Sequence, residues 1–177
     1  MSYIVTTVNN KICGTNYSTT VELTDTIIRP SNTTQYSIND VINNSTSNIQ
    51  GLSMGNDHYG SMIKISEITL TSSANQSTKP QVTIHLWNET PSSSSVFTDN
   101  AVLSLTAAEA RKCIASIPLT RSVDLNSCFM LQSDLALPIV FEFKSEIYFV
   151  LQVNNAYTPV SGESFYLNVF SYLLYSS

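Results

Sequence analysis

Two histidines, three cysteines and one pair of nearby glutamates are the side chains in this 177-residue chain with the best claim to chemistry. His58 stands beside an acid in the glycine-bounded run Gly55-Asn56-Asp57-His58-Tyr59-Gly60, where a metal or general-base role is conceivable. Two ligands adjacent in sequence do not complete a metal site, because tetrahedral or octahedral coordination draws on ligands brought in from elsewhere. His85 shares an alternating row with Thr83 and Trp87, which places it on a strand surface or an interface rather than in a catalytic cleft. Glu142 and Glu146 flank a turn at Lys144-Ser145-Glu146. Paired carboxylates about 5–10 Å apart cleave glycosidic bonds, but the position of these two near a turn reads as ordinary solvated charge. Cys13, Cys113 and Cys128 are odd in number and widely spaced, so they suggest neither a disulfide framework nor a zinc knuckle. No Gly-x-Ser-x-Gly elbow and no glycine-rich phosphate loop with a following lysine occurs. The expectation is a non-enzyme with no catalytic, metal or cofactor site.

The aromatic residues offer a different kind of site. Nine Tyr, seven Phe and one Trp concentrate toward the C-terminus, at Tyr148, Phe149, Tyr157, Phe165, Tyr166, Phe170, Tyr172 and Tyr175. Such residues pack cores, but they are also enriched in the buried centres of protein interfaces, and exposed ones can stack on sugars. The candidate interface residues are Tyr3, Val5, Tyr36, Tyr59, Trp87, Tyr157, Tyr166 and Phe170. Trp87 and Tyr157 are the first to substitute if the ligand is a glycan.

The elements that must position these residues are strands. Charged residues are only 12% of the chain, about half the usual share, against 42% hydrophobic. Ser, Thr and Asn supply the polar surface in runs such as Asn43-Asn44-Ser45-Thr46-Ser47-Asn48, and they favour turns and pleated surfaces. A net charge of -5 and a pI near 4.8 argue against nucleic acid as a partner. No secretory signal and no membrane span is visible. Alternation places strands at Ser18–Ile28, Met62–Ser72, Val82–Trp87, Cys113–Leu119, Cys128–Leu131, Ile139–Phe143, Ile147–Val153 and Glu163–Leu174. A change of face midway through 62–72 suggests a bulge. Residues 139–143 and 147–153 read as a hairpin, and both faces of the last strand are largely apolar, so it is central or covered by another subunit. Thr106-Ala107-Ala108-Glu109 is a capping box opening one short helix to Lys112. Residues 36–60 are too long for a plain connection and should carry a short strand or an interaction surface. The reading is an all-β, jelly-roll-like antiparallel sandwich over 17–177 with one short helix, preceded by an extended arm at 1–16.

Several strings carry a resemblance: Asp40-Val41-Ile42, Ile63-Lys64-Ile65-Ser66-Glu67-Ile68-Thr69-Leu70, Val82-Thr83-Ile84-His85-Leu86-Trp87, Thr90-Pro91 and Glu146-Ile147-Tyr148-Phe149-Val150-Leu151. The most distinctive is Phe97-Thr98-Asp99-Asn100-Ala101. Across about residues 18–174 the chain resembles small virion structural proteins of tailed bacteriophages, of the capsid-decoration or head-fibre type. It departs from their pattern in the Asn/Ser-rich loop at 43–60. The resemblance implies a β-sandwich on the capsid surface, a homo-oligomer (dimer or trimer) docked to capsid protein or another virion protein. The alternative is a carbohydrate- or receptor-binding sandwich of a virion fibre.

Overall fold

The computed structural model describes residues 2–6, 18–44, 49–54, 59–91, 97–133, 139–144 and 146–174, with side chains from residue 20 onward. Twelve strands and one helix follow in the order β1 (Ser2–Thr6), β2 (Ser18–Ile28), β3 (Val41–Ile42), β4 (Gln50–Ser53), β5 (Met62–Ser72), β6 (Val82–Trp87), α1 (Ala107–Lys112), β7 (Cys113–Leu119), β8 (Arg121–Asp124), β9 (Phe129–Gln132), β10 (Ile139–Glu142), β11 (Glu146–Val153) and β12 (Ser164–Leu174). One sheet has seven strands in the order β1-β2-β12-β5-β9-β8, with β10 also on β5. The other has five, β3-β11-β6-β7, with β4 on β11.

Every pairing is antiparallel, and the pairs nest: β2 with β12, β3 and β4 with β11, β5 with β9, β6 with β7. The chain is therefore one long ribbon doubled back near α1 and wrapped so that successive pairs fall in alternate sheets, which is a jelly roll. The expected all-β sandwich is what forms. The inward rows of both sheets, among them Val21, Leu23, Ile27, Ile63, Ile65, Ile68, Leu70, Ile84, Leu86, Phe149, Leu151, Leu167 and Val169, make one core.

The strand at 62–72 carries the expected irregularity. Phe170 faces Glu67 while Ser171 faces Ile65, so Ser66 is the extra residue that lets Ile63, Ile65, Ile68 and Leu70 all point inward. The helix starts where the capping box places it: Glu109 N–H donates to Thr106 Oγ1 at 3.2 Å and Thr106 N–H donates to Glu109 Oε2 at 3.0 Å. Segment 36–60 contains the short strands β3 and β4, laid end to end along one flank of β11.

Two readings need correction. Ser2–Thr6, expected as part of an arm, is the edge strand β1 on β2 of the same chain. Residues 139–143 and 147–153 do not form a hairpin, because β10 pairs with β5 in one sheet and β11 with β6 in the other. Phe141 and Phe143 are buried on one side of this crossing and Ile147 on the other, so the turn carries the chain between layers. The hairpin in this region is instead β8 with β9, and β8 escaped notice because Arg121-Ser122-Val123-Asp124 has almost no apolar row.

Candidate functional site

β12 sits at the middle of the seven-stranded sheet, hydrogen-bonded to β2 on one side and β5 on the other. Its period of two buries Phe165, Leu167, Val169, Ser171 and Leu173 in the core and turns Tyr166, Asn168, Phe170, Tyr172 and Leu174 outward. Across the ladder, Tyr166 is flanked by Thr26 and Thr71, Asn168 by Thr24 and Thr69, Phe170 by Glu22 and Glu67, and Tyr172 by Thr20 and Lys64. Leu174 lies opposite Met62, and Val140 pairs with Lys64 on the same face. An aromatic and aliphatic stripe thus crosses the face between rows of threonine. Tyr166 is 45% exposed, Val140 47%, Met62 40% and Leu174 37%. Three acids and one lysine, Glu22, Glu67, Glu142 and Lys64, are charged groups beside the stripe, and Gln132 Nε2 donates to Glu67 Oε1 at 3.2 Å.

The outer face of the five-stranded sheet has a different fate. Val41, Trp87 and Val150 point out of that sheet, and Phe97, Leu103 and Leu105 from the segment leading into α1 pack over them as a second core. Trp87 is fully buried there, its Nε1–H donating to Glu109 O at 3.0 Å. The tryptophan marked as an interface residue, and as a sugar platform, is instead covered by its own chain.

Tyr36 and Tyr157 are likewise buried, with rings stacked at 6.1 Å between centroids. Each belongs to a polar network at one end of the sandwich. Arg29 Nε donates to Tyr36 Oη, the Tyr36 hydroxyl donates to Asp99 Oδ1 at 2.6 Å, and Arg29 Nη2 lies 3.5 Å from Asp99 Oδ2. Asn43 N–H also donates to Asp99 Oδ1, at 2.9 Å. Beside it, Glu163 accepts from the hydroxyls of Ser72 and Tyr157, from Gln76 Nε2 at 2.7 Å and from Val160 N–H at 3.1 Å. Burial, followed by the neighbouring carboxylate, pushes both phenols above their ordinary pKa, so they remain neutral donors. These tyrosines, named as interface candidates, are buried within their own chain at one end of the core. Of the other candidates, Tyr59 (69% exposed), Tyr166 and Phe170 reach the surface. Tyr3 and Val5 lie on β1.

Above the network lies a shallow basin of about 360 Å³, lined by Gln35, Gln76, Ser77, Thr78, Ala156 and Thr158. The sequence reading missed it, along with Arg29, Asp99 and Glu163. In a chain with so few charges, an arginine at a strand end and an aspartate inside Phe97-Thr98-Asp99-Asn100-Ala101 were the available signals.

His85 is part of a lateral chain over three strands. Its Nδ1 is 2.8 Å from Ser116 Oγ and its Nε2 3.1 Å from Gln152 Oε1, with Cys113 Sγ 3.6 Å beyond Ser116 Oγ. Burial holds the imidazole below its ordinary pKa. Both ring nitrogens are occupied, so the ring ties β7, β6 and β11 together across an open sheet surface. Cys113 and Cys128 are half-buried free thiols. His58 and Cys13 fall outside the described residues. Glu142 is exposed on β10 while Glu146 opens β11, so the two carboxylates belong to different sheets. Among the described residues no three His, Cys, Asp or Glu side chains converge as a metal site, and no helix is long and apolar enough to cross a membrane. Comparison of the sequence with protein-family models and with curated proteins finds no match.

Proposed function

We propose that this chain is a non-enzymatic structural protein that homo-oligomerises through the outer face of its seven-stranded sheet and docks on the capsid of a tailed bacteriophage, as decoration or head fibre. The observation that carries the self-association is the stripe Tyr166–Phe170–Tyr172–Leu174 with Met62 and Val140 on the outer face of the sheet, with Glu22, Glu67, Glu142 and Lys64 beside it. Interface centres are distinguished by aromatic residues and methionine, and exposed apolar patches of this kind mark contact surfaces. The capsid as docking partner comes from the sequence resemblance; Ile38 and Tyr59, 59% and 69% exposed, are the apolar contacts that segment 36–60 offers to it.

Sedimentation velocity of the full chain tests the first step. The expected result is a dimer or trimer that dissociates when Phe170 is replaced by Lys, and a chain that stays monomeric at high micromolar concentration refutes it. Cosedimentation with capsids of the source phage tests the second. The alternative, a carbohydrate- or receptor-binding module of a virion fibre, loses the first two of its candidate platforms with the burial of Trp87 and Tyr157. In its favour stands the polar basin at the end of the sandwich.

A further inference from the structure

We propose that the basin between Gln35, residues 76–78 and residues 156–158 is a binding site for a single neutral sugar ring. Among the described residues its lining consists of two amides, three hydroxyls and one methyl, with no charged side chain. Amides and hydroxyls both donate and accept, which is what a ring of alternating hydroxyl groups requires, and the absence of a cation leaves nothing to hold a phosphate or carboxylate. The volume of about 360 Å³ is near the lower end of small-molecule sites, which run from about 300 to 1,000 Å³.

The walls are held in place before any ligand arrives. Gln76 Nε2 donates to Tyr157 Oη at 2.9 Å and to Glu163 Oε2 at 2.7 Å, so both amide protons are spent on the buried network and the carbonyl oxygen is the group left to offer. Tyr157 is fixed in turn by its stack on Tyr36 and by donation to Glu163. Asn155 joins the two sides: its Nδ2 donates to Lys79 O at 3.2 Å, and its Oδ1 accepts from Gln81 N–H at 2.5 Å. The Gln35 wall is set by Tyr36 N–H donating to Tyr157 O at 2.8 Å. A site ordered in advance loses little entropy on binding, which is the general condition for a useful polar pocket. This proposal extends the alternative reading and is separate from self-association.

The test is a chemical-shift titration of the isotopically labelled full chain with the methyl glycosides of glucose, galactose, mannose, N-acetylglucosamine and fucose, with inorganic phosphate as the charged probe. At least one glycoside should shift the amides of 76–78 and 156–158, and phosphate should not. Thr158→Trp, which fills the basin from an exposed position, should weaken that binding at least tenfold while leaving the melting temperature and sedimentation coefficient unchanged. Thr78→Val, removing one hydroxyl at constant shape, should weaken it without abolishing it. The proposal is overturned if no glycoside moves these amides, if phosphate moves them more, or if a glycoside binds equally well to Thr158→Trp. In that last case the chain binds sugar at another place, so the carbohydrate reading survives while this site does not.

Discussion

Replacing Tyr166 with Ser separates the two faces of β12 in one measurement. The ring is 45% exposed, and an aromatic side chain presents about 200 Å² when free, so roughly 90 Å² remains for a partner to cover. At about 25 cal/mol per Å² that area is worth about 2 kcal/mol, or roughly a thirtyfold weaker dissociation constant per copy of the contact. Sedimentation equilibrium over a concentration series reads that shift directly. The protomer should also lose up to about 2–3 kcal/mol, since the rest of the ring, roughly 110 Å², packs on its own sheet beside Thr26 and Thr71. Leu167→Ala, one residue along, is the control. Leu167 is fully buried between β2 and β5, so its truncation removes transfer energy and leaves a cavity, a cost of about 3 kcal/mol. For a chain of this size the melting temperature should fall by about 6–12 °C. If Tyr166→Ser leaves the association constant unchanged, or Leu167→Ala weakens association as much as Tyr166→Ser does, the assignment of the outer face as a contact surface is wrong.

Trp87→Ala should cost about 3–5 kcal/mol in chemical denaturation, because it empties the second core and removes the indole donor to the Glu109 carbonyl; a loss below 1 kcal/mol would mean that the α1 segment does not cover that sheet. Arg29→Met should destabilise by about 3 kcal/mol, the lower end for a broken buried pair, since Tyr36 and Asn43 still donate to Asp99. Adding Asp99→Asn, which removes the uncompensated charge but keeps an acceptor for Tyr36 and Asn43, should recover part of the loss, and a double variant weaker than the single would refute the pairing. For His85, the folded pKa lies below the unfolded value near 6.5, so between the two the unfolded chain binds more protons. The stability this group contributes is complete above about pH 6.5 and is lost as pH falls through the folded value. His85→Gln should flatten that part of the stability–pH curve measured by denaturant titration, and curves of equal slope would contradict the burial.

Where residue order alone carries the physics, the fold is legible. Strand β6 alternates because one face must be apolar. The 62–72 run changes face at the bulge, and the α1 capping box satisfies its own first turn, so all three can be recognised locally. The candidate site is less legible for a related reason: alternation tells which residues share a face, but not what lies over it. Trp87 and Tyr166 occupy outward rows of two sheets and look alike in sequence. One is buried because residues 97–112 fold over it, and the other stays open.

Composition and periodicity by themselves determined that this chain is a β-sandwich with one capped helix and that its last strand is apolar on both sides. Tertiary structure alone decided that this strand lies in the middle of a sheet, that 139–153 crosses between layers, and that Tyr36, Tyr157, Arg29, Asp99 and Glu163 meet at one end. The reason is physical: hydrogen-bonded turns and alternating rows are interactions over a few residues, whereas burial and charge pairing join segments as far apart as Arg29 and Asp99, and their outcome depends on how the whole ribbon wraps.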